Sequence, residues 1–270
     1  MSMPPGRETP AEALARLYDL DLQDDPGDLD LWTALAAEAD GAVLELMAGT
    51  GRIAVPLAEE GRAVTAVDLD PAMLARARRR AEAMGPEVAA RVELVLADVA
   101  APDLGLGRRF RLAFIGLNSI LLLASRAAQQ AAWEALAAHL EPGGLAVVDT
   151  WLPDAHDLSR YDGRLHLEYH RPDPETGRWV TKTAAAQHDA ATQTVALTTI
   201  YEEGDPGEPA SRWIRRDVVR LASAEELRGM AEAAGLVVEL VAGGYDLEPL
   251  GPHDDRAVVV ARMPGSGRPG

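Results

Sequence analysis

The chain has 270 residues, with 43 acidic against 26 basic side chains (formal net charge -17), and no cysteine. Without cysteine there are no disulfides, thiolate metal sites or cysteine nucleophile, and so acidic a chain repels nucleic acid unless a local basic patch intervenes. No run of about 18 apolar residues marks a membrane span, and the polar stretch Met1–Pro10 lacks the charged and apolar regions of a signal peptide, so a cytoplasmic protein is expected.

Pro10 to Leu20 reads as a helix, an acidic loop spans Asp21 to Asp28, and a second helix runs from Leu29 to Ala39. Short apolar strands and amphipathic helices then alternate. Strands are predicted over 42–46, 63–67, 92–96, 110–116 and 145–150, and helices over 52–60, 71–83 and 124–140. Near-continuous apolar strands separated by helices indicate a parallel sheet covered on both faces, with ligands at the carboxyl ends of its strands. After Trp151 the pattern changes. "LHLEYH", "RWVTKTAAAQ", "TVALTTIYEE" and "RWIRRDVVRL" alternate with period two, separated by turn-rich segments, as in an antiparallel meander. "SAEELRGMAEAAG" opens with a capping box at Ser223 and Glu226, and two last strands follow at 237–241 and 257–262. The expected organisation is an N-terminal helical lid over 1–40 and an α/β domain over 41–160 and 221–264. A substrate-covering antiparallel insertion is expected over 161–220 and a disordered tail over 265–270.

The stretch "VLELMAGTGRIAVPLA" at 43–58 carries Gly49, Gly51 and Ala54 at the spacing of a dinucleotide-binding turn. Taken alone, that loop suits a dinucleotide about as well as another nucleoside cofactor. Three acids bear on the choice. Glu45 lies four residues before Gly49, and Asp68 and Asp98 close the next two strands. Strand ends converge at one edge of a parallel sheet, so these carboxylates should meet beside the loop. Asp68 is placed to accept from a ribose, Asp98 to accept from a base, and Glu45 to face a cationic amine rather than a pyrophosphate.

The ordered series "VLELMAGTGR", "VTAVDLDPAML", "VELVLADV", "LAFIGLNSILLL" and "LEPGGLAVVD" resembles a class I S-adenosylmethionine-dependent methyltransferase over residues 40–150. The resemblance implies a doubly wound, mostly parallel seven-stranded Rossmann-like sheet with S-adenosyl-L-methionine as cofactor. It implies that Glu45 helps hold the methionyl amine, Asp68 the ribose, and Asp98 with the Val99 backbone the adenine, against which Leu69 and Met73 pack. It also brings Met47, Ala48, Gly49, Gly51, Arg52 and Leu117 into the cofactor site. The family usually has glycine where Met47 stands, and a methionine there is expected to hold a negative φ.

"IGLNS" after the fourth strand lacks the N/D-P-P-Y/F motif of amino-group methyltransferases of nucleic acid and protein, which points to a small-molecule acceptor. "GLNS", "GGLAVVDTW" and "AGGYDLEPL" resemble the glycine N-methyltransferase-like group, which includes amino-sugar and other small-amine N-methyltransferases. That resemblance implies Asn118 at the acceptor beside the sulfonium and Tyr18 on a lid helix, these two being the candidate catalytic residues. Trp32, Trp151, Tyr169, Trp213 and Tyr245 are the candidate acceptor contacts. Trp151 stands where glycine-specific relatives carry a carboxylate-binding arginine, so glycine is not expected as the substrate. His166, His170 and His188 match no metal-binding spacing, and no metal is expected. N-methylation of an amine-bearing metabolite is the leading expectation. O-methylation, a non-catalytic S-adenosylmethionine-binding protein and a dinucleotide-binding oxidoreductase remain as alternatives. The acidic surface does not prevent a homodimer.

Overall fold

The computed structural model describes residues 8–101, 104–205, 207 and 209–265. The expected tail over 266–270, and the part of the N-terminal expectation falling on residues 1–7, lie outside the described residues. Two helices open the chain, α1 (Pro10–Asp21) and α2 (Leu29–Ala39). Alternation follows with β1 (Val43–Leu46), α3 (Ala54–Glu59), β2 (Val64–Asp68), α4 (Pro71–Ala83), the short α5 (Pro86–Ala89), β3 (Val92–Leu96), β4 (Phe110–Ile115), α6 (Arg126–Ala138) and β5 (Leu140–Trp151). The short α7 (Ala155–Ser159) leads into β6 (Asp162–Pro172), β7 (Trp179–Asp189), β8 (Thr194–Glu203) and β9 (Ser211–Arg220). The chain ends with α8 (Ala224–Ala233), β10 (Val237–Ala242) and β11 (Arg256–Arg262). Among the described residues, no helix is long and apolar enough to cross a membrane.

The described residues divide into two units, one within 25–153 and 220–265, the other within 8–24 and 154–219. In the larger unit seven strands form one sheet in the order β10-β11-β5-β4-β1-β2-β3. β1 to β5 pair in parallel, and β11 runs antiparallel to both its neighbours. The chain runs from β1 outward to β2 and β3, then crosses back to β4 on the other side of β1, so the crevice at the carboxyl ends of β1 and β4 is the switch point where such sheets bind ligands. β1 is buried at every position, β4 at all but Arg111, and β5 from Gly144 to Thr150. That burial is the reason their sequences are continuously apolar rather than alternating. α2 buries Leu31, Trp32, Leu35, Ala36 and Ala39 in the same core as Ile53, Leu57 and Phe114. Each large side chain so buried contributes about 1.5–3 kcal/mol.

The smaller unit is a four-stranded sheet, order β6-β7-β8-β9, with α1. α1 starts at a capping box between Thr9 and Glu12 with Pro10 in its first turn. Its Leu17 and Leu20 form a small core with Val180 and Tyr201, against which Tyr169 and Trp213 pack. The segment 1–40, expected as one helical lid, is thus split: α1 groups with the antiparallel sheet, and α2 belongs to the core of the α/β unit. The split follows the apolar stripes, because α2 carries the broad stripe that a large sheet can cover.

Candidate functional site

The loop after β1 is fixed from both sides. Ala48 N–H donates to the Val67 carbonyl (3.0 Å), and Gly49 N–H donates to Asp68 Oδ2 (2.7 Å). Gly49 and Gly51 have φ of 55° and 72°. A side chain at Gly51 would also meet the Ala77 Cβ at 3.0 Å, so close packing against α4 demands glycine there. Met47 departs from expectation, with φ of 60° where a negative value was predicted. The bonds made by the next two residues dictate a left-handed turn at 47, and the methionine adopts it at a cost of about 1–2 kcal/mol. Met47→Gly should remove that cost and lose about 0.5–1 kcal/mol to the freer unfolded chain. A gain in stability of up to about 1 kcal/mol is therefore expected by urea unfolding, and a clear loss would show that the side chain's packing outweighs the strain.

The three acids have different surroundings. Glu45 is 4% exposed, and its Oε2 is buried without a hydrogen-bond partner. Burial pushes its pKa up to about 8, against the field of Arg52 and the Ala54 N–H. Asp68 is half-buried; Oδ2 accepts from Gly49 N–H and Oδ1 from Asp70 N–H (2.9 Å). Burial raises its pKa, and these two N–H groups oppose the rise. A carboxylate has about four lone-pair sites, so Asp68 retains capacity for a ribose. Asp98 is exposed, with Oδ1 bound to Ala100 N–H (2.9 Å), and Val99 is buried beside it. Leu69 is 65% exposed next to the half-buried Met73, an apolar surface suited to a base. An acceptor lacking its donor, a carboxylate with spare lone pairs and an open apolar platform fit the amine, ribose and adenine of S-adenosylmethionine.

Arg52 and Trp32 are placed otherwise than predicted. The Arg52 guanidinium forks onto Asp28 with two bonds of 2.7 Å, tying the glycine loop to the start of α2 instead of reaching toward a cofactor. Asp28 is fully buried and also accepts from Trp32 Nε1 (3.0 Å). Burial works to raise the Asp28 pKa, but the hydrogen bonds and field of Arg52 hold it below the usual carboxylate value. Trp32 has no exposed surface and stacks on Phe114 at 4.3 Å, so it is core and not an acceptor contact. Sequence reading took Asp28 only as part of an acidic loop.

At the carboxyl ends of β4 and β5, Leu117 and Asn118 are both left-handed, with φ of 51° and 62°. Leu117 N–H donates to Asp149 Oδ1, and Trp151 N–H donates to Asn118 Oδ1. Asp149 is fully buried and also accepts from Tyr245 Oη (3.1 Å) and Arg256 Nη1 (2.6 Å). Burial pushes its pKa up to about 6, opposed by the charge of Arg256. Tyr245, a predicted acceptor contact, is therefore bonded into this network, with Arg256 over its ring. Asp149 and Arg256 were not anticipated. An acid inside "LAVVDT" is a signal that could have exposed the first, whereas nothing local marks the second.

The remaining candidates divide between the units. Trp151 is half-buried at the end of β5. Tyr18, half-buried on α1, lies in the smaller unit with Tyr169 and Trp213. Tyr169 Oη donates to Asp21 (2.8 Å), as do Tyr201 Oη (2.7 Å) and Lys182 Nζ (2.9 Å). Tyr169 and Trp213 thus serve the packing of α1 on its sheet.

The strand order, the glycine loop and the acids around it define a class I, S-adenosylmethionine-dependent methyltransferase fold. Residues 43–144 match the family model described as a methyltransferase domain. Over 238 residues the chain is 28% identical to the dTDP-3-amino-3,6-dideoxy-alpha-D-glucopyranose N,N-dimethyltransferase of Streptomyces fradiae, covering 86% of each chain. It is 27% identical to the dTDP-3-amino-3,4,6-trideoxy-alpha-D-glucopyranose N,N-dimethyltransferase of Streptomyces venezuelae, covering 80% of this chain and 83% of that one. Among solved structures, the CcbJ methyltransferase of Streptomyces caelestis superposes with a TM-score of 0.73 at 26% identity, covering 88% of this chain and 96% of the other. The protein is an S-adenosylmethionine-dependent methyltransferase, which sets aside the dinucleotide reading of the glycine loop.

Proposed function

We propose that the protein N-methylates the amino group of a nucleotide-linked amino sugar. The carrying observation is similarity over most of the chain to two dTDP-amino-sugar N,N-dimethyltransferases. S-adenosylmethionine, when bound, supplies a sulfonium-activated methyl group. In this reading Glu45 holds the methionyl amine, Asp68 the ribose, and Asp98 with Val99 the adenine, while Asn118 serves the acceptor. Such a transfer needs alignment and exclusion of water more than a dedicated base, provided the amine binds neutral. Within the smaller unit, a cavity of about 360 Å³ has a floor of Ala184, Ala186 and Leu197 and a rim that includes His166, Glu168 and Lys182. An apolar floor with a rim of mixed charge suits a hydroxylated ring. The test is incubation with S-adenosylmethionine and a panel of dTDP-3-amino sugars, phenols and glycine, read by mass spectrometry. Gain of one or two methyl groups on the amino sugars and none on glycine is expected; transfer to phenols alone would overturn the reading.

We further propose a homodimer formed through the antiparallel sheet. Tyr201 and Trp213 face α1, so by strand alternation Leu165, Leu167, Ile214 and Val218 lie on the opposite face, where they are 47–65% exposed. Four strands of about 10 residues span roughly 600 Å², close to the ~800 Å² per partner of a stable interface. This face also carries the exposed Arg212 and Arg216, so in a chain of net charge -17 it joins apolar surface to positive charge, and it is where a second copy can approach. Light scattering should give a dimer for the native chain and a monomer for Leu167→Glu with Ile214→Glu; a monomeric native chain would refute it.

A further inference from the structure

We propose that Arg256 and Asp149 are positioning residues that lock the Asn118 carboxamide so that its NH2 donates to an oxygen of a bound ligand. The inference rests on the methyl-transfer reading of this site. A carboxamide presents an accepting oxygen on one side and a donating NH2 on the other, and its partners decide which way it faces. Here two donors converge on Asn118 Oδ1, the Trp151 backbone N–H and Arg256 Nη1 (3.2 Å). The opposite orientation would set NH2 against both of them, so the assignment is forced by the surroundings. Among the described residues, the Asn118 NH2 donates to no protein group.

The same arginine secures the turn that carries Asn118. Its Nη1 also binds Asp149, which is fully buried and accepts from Leu117 N–H. Consecutive left-handed, non-glycine residues such as Leu117 and Asn118 persist only where neighbouring contacts over-determine them. One guanidinium therefore holds the turn through Asp149 and aims its side chain through Asn118 Oδ1. Tyr245 completes the clamp, bonded to Asp149 and lying 4.7 Å from the guanidinium. The turn sits at the carboxyl end of β4, beside the switch point of the sheet.

The chemical consequence is specific. A donor at this place cannot take a proton from an acceptor amine or hold its N–H. It addresses a lone pair, and an oxygen (a hydroxyl of the acceptor or the carboxylate of the methyl donor) is the partner that leaves the amine's own lone pair free to attack the methyl group. Asn118→Asp separates this from a scaffold role, because it keeps the oxygen that receives Trp151 and Arg256 and removes the NH2. Its thermal midpoint should stay near that of the native protein. The KM of the ligand that supplies the oxygen should rise tenfold or more, with a smaller change in kcat. A rise in acceptor KM assigns the oxygen to the acceptor; weaker calorimetric binding of S-adenosylhomocysteine assigns it to the methyl donor. Either supports the proposal, and no change in both overturns it. Arg256→Lys keeps a charge on Asp149 but loses the planar fork, so it should raise the same constant. The double variant should be no worse than the more impaired single one, and additive effects would overturn the positioning role. A native enzyme that methylates no amino sugar would fail the functional reading separately. The variants are then scored on whichever acceptor is turned over and on S-adenosylhomocysteine binding.

Discussion

Replacing Glu45 by Gln should make the ligand-free protein more stable in alkali and a poorer binder of S-adenosylmethionine. The Glu45 side chain is buried in β1 with Oε2 unpartnered, and burial raises its pKa from an ordinary 4.5 to about 8. Below pH 4.5 the carboxyl is protonated in both folded and unfolded chains, so folding carries no proton-linked penalty. Between 4.5 and 8 the unfolded chain releases the proton that the folded chain retains, and stability falls by up to about 1.4 kcal/mol per pH unit. Above pH 8 the loss is complete and of order 4–5 kcal/mol. Gln at this position has no such term. Urea unfolding at pH 5, 7 and 9 should show the two proteins diverging steadily, with the variant ahead at pH 9; parallel behaviour would refute the buried, unpaired state of the acid. Binding should move the other way. Holding a cationic amine requires the ionised carboxylate, so affinity for S-adenosylhomocysteine should rise with pH toward 8 in the native protein and stay flat in the variant. At pH 8.5 the loss of a charge-assisted bond should weaken binding by about 1.5–3 kcal/mol. The one unpaired acid in the strand thus lowers stability where it would serve binding.

What the sequence made legible was local. The glycine spacing, the acids that end β2 and follow β3, and the switch from continuous apolar strands to period-two alternation are all set within a few residues. The seven-stranded sheet and the separate antiparallel sheet could be read from them. What escaped depends on partners distant in the chain. The φ of Met47 is imposed through hydrogen bonds to Val67 and Asp68, about twenty residues on. Arg52 lies in the glycine loop, where a cofactor contact was the natural expectation, but Asp28 on the far side of β1 claims it. Arg256 opens β11 one residue before the predicted strand, where it reads like any surface arginine, and only the sheet order, which sets β11 beside β5, brings it to Asp149 and Asn118. Aromatic side chains misled for a related reason. Their spacing does not distinguish a pocket wall from packing, and Trp32 and Tyr169 went to packing. The apolar stripe of α1 was visible, but nothing in it said that its cover would come from strands more than 150 residues later.

That distant cover gives the second large effect, at Arg16. Its side chain is 4% exposed, and its Nη2 reaches Glu203 (3.0 Å) and Glu8 (2.9 Å) while Nη1 bonds Asp173. Asp173 and Glu203 are 1% and 3% exposed, so the guanidinium is what neutralises two acids withdrawn from water. Burial alone would lower the Arg16 pKa, but the bond to Glu8 and the charges of Glu203 and Asp173 hold it above the usual arginine value. Arg16→Met should cost the smaller unit about 3–5 kcal/mol, because the acids are left buried without a counter-charge. The loss should be local. The larger unit has its own core, so hydrogen exchange should quicken in α1 and in β6 to β8 while β1, β4 and β5 stay protected. Binding of S-adenosylhomocysteine should survive, since Glu45, Asp68 and Asp98, the residues proposed to hold it, all lie in the larger unit. Uniform loss of protection, or none, would refute this account. Adding Asp173→Asn and Glu203→Gln to Arg16→Met should recover much of the loss, because no ionised group then remains buried. Failure to recover would mean that Arg16 holds α1 by the packing of its stem and not by its charge.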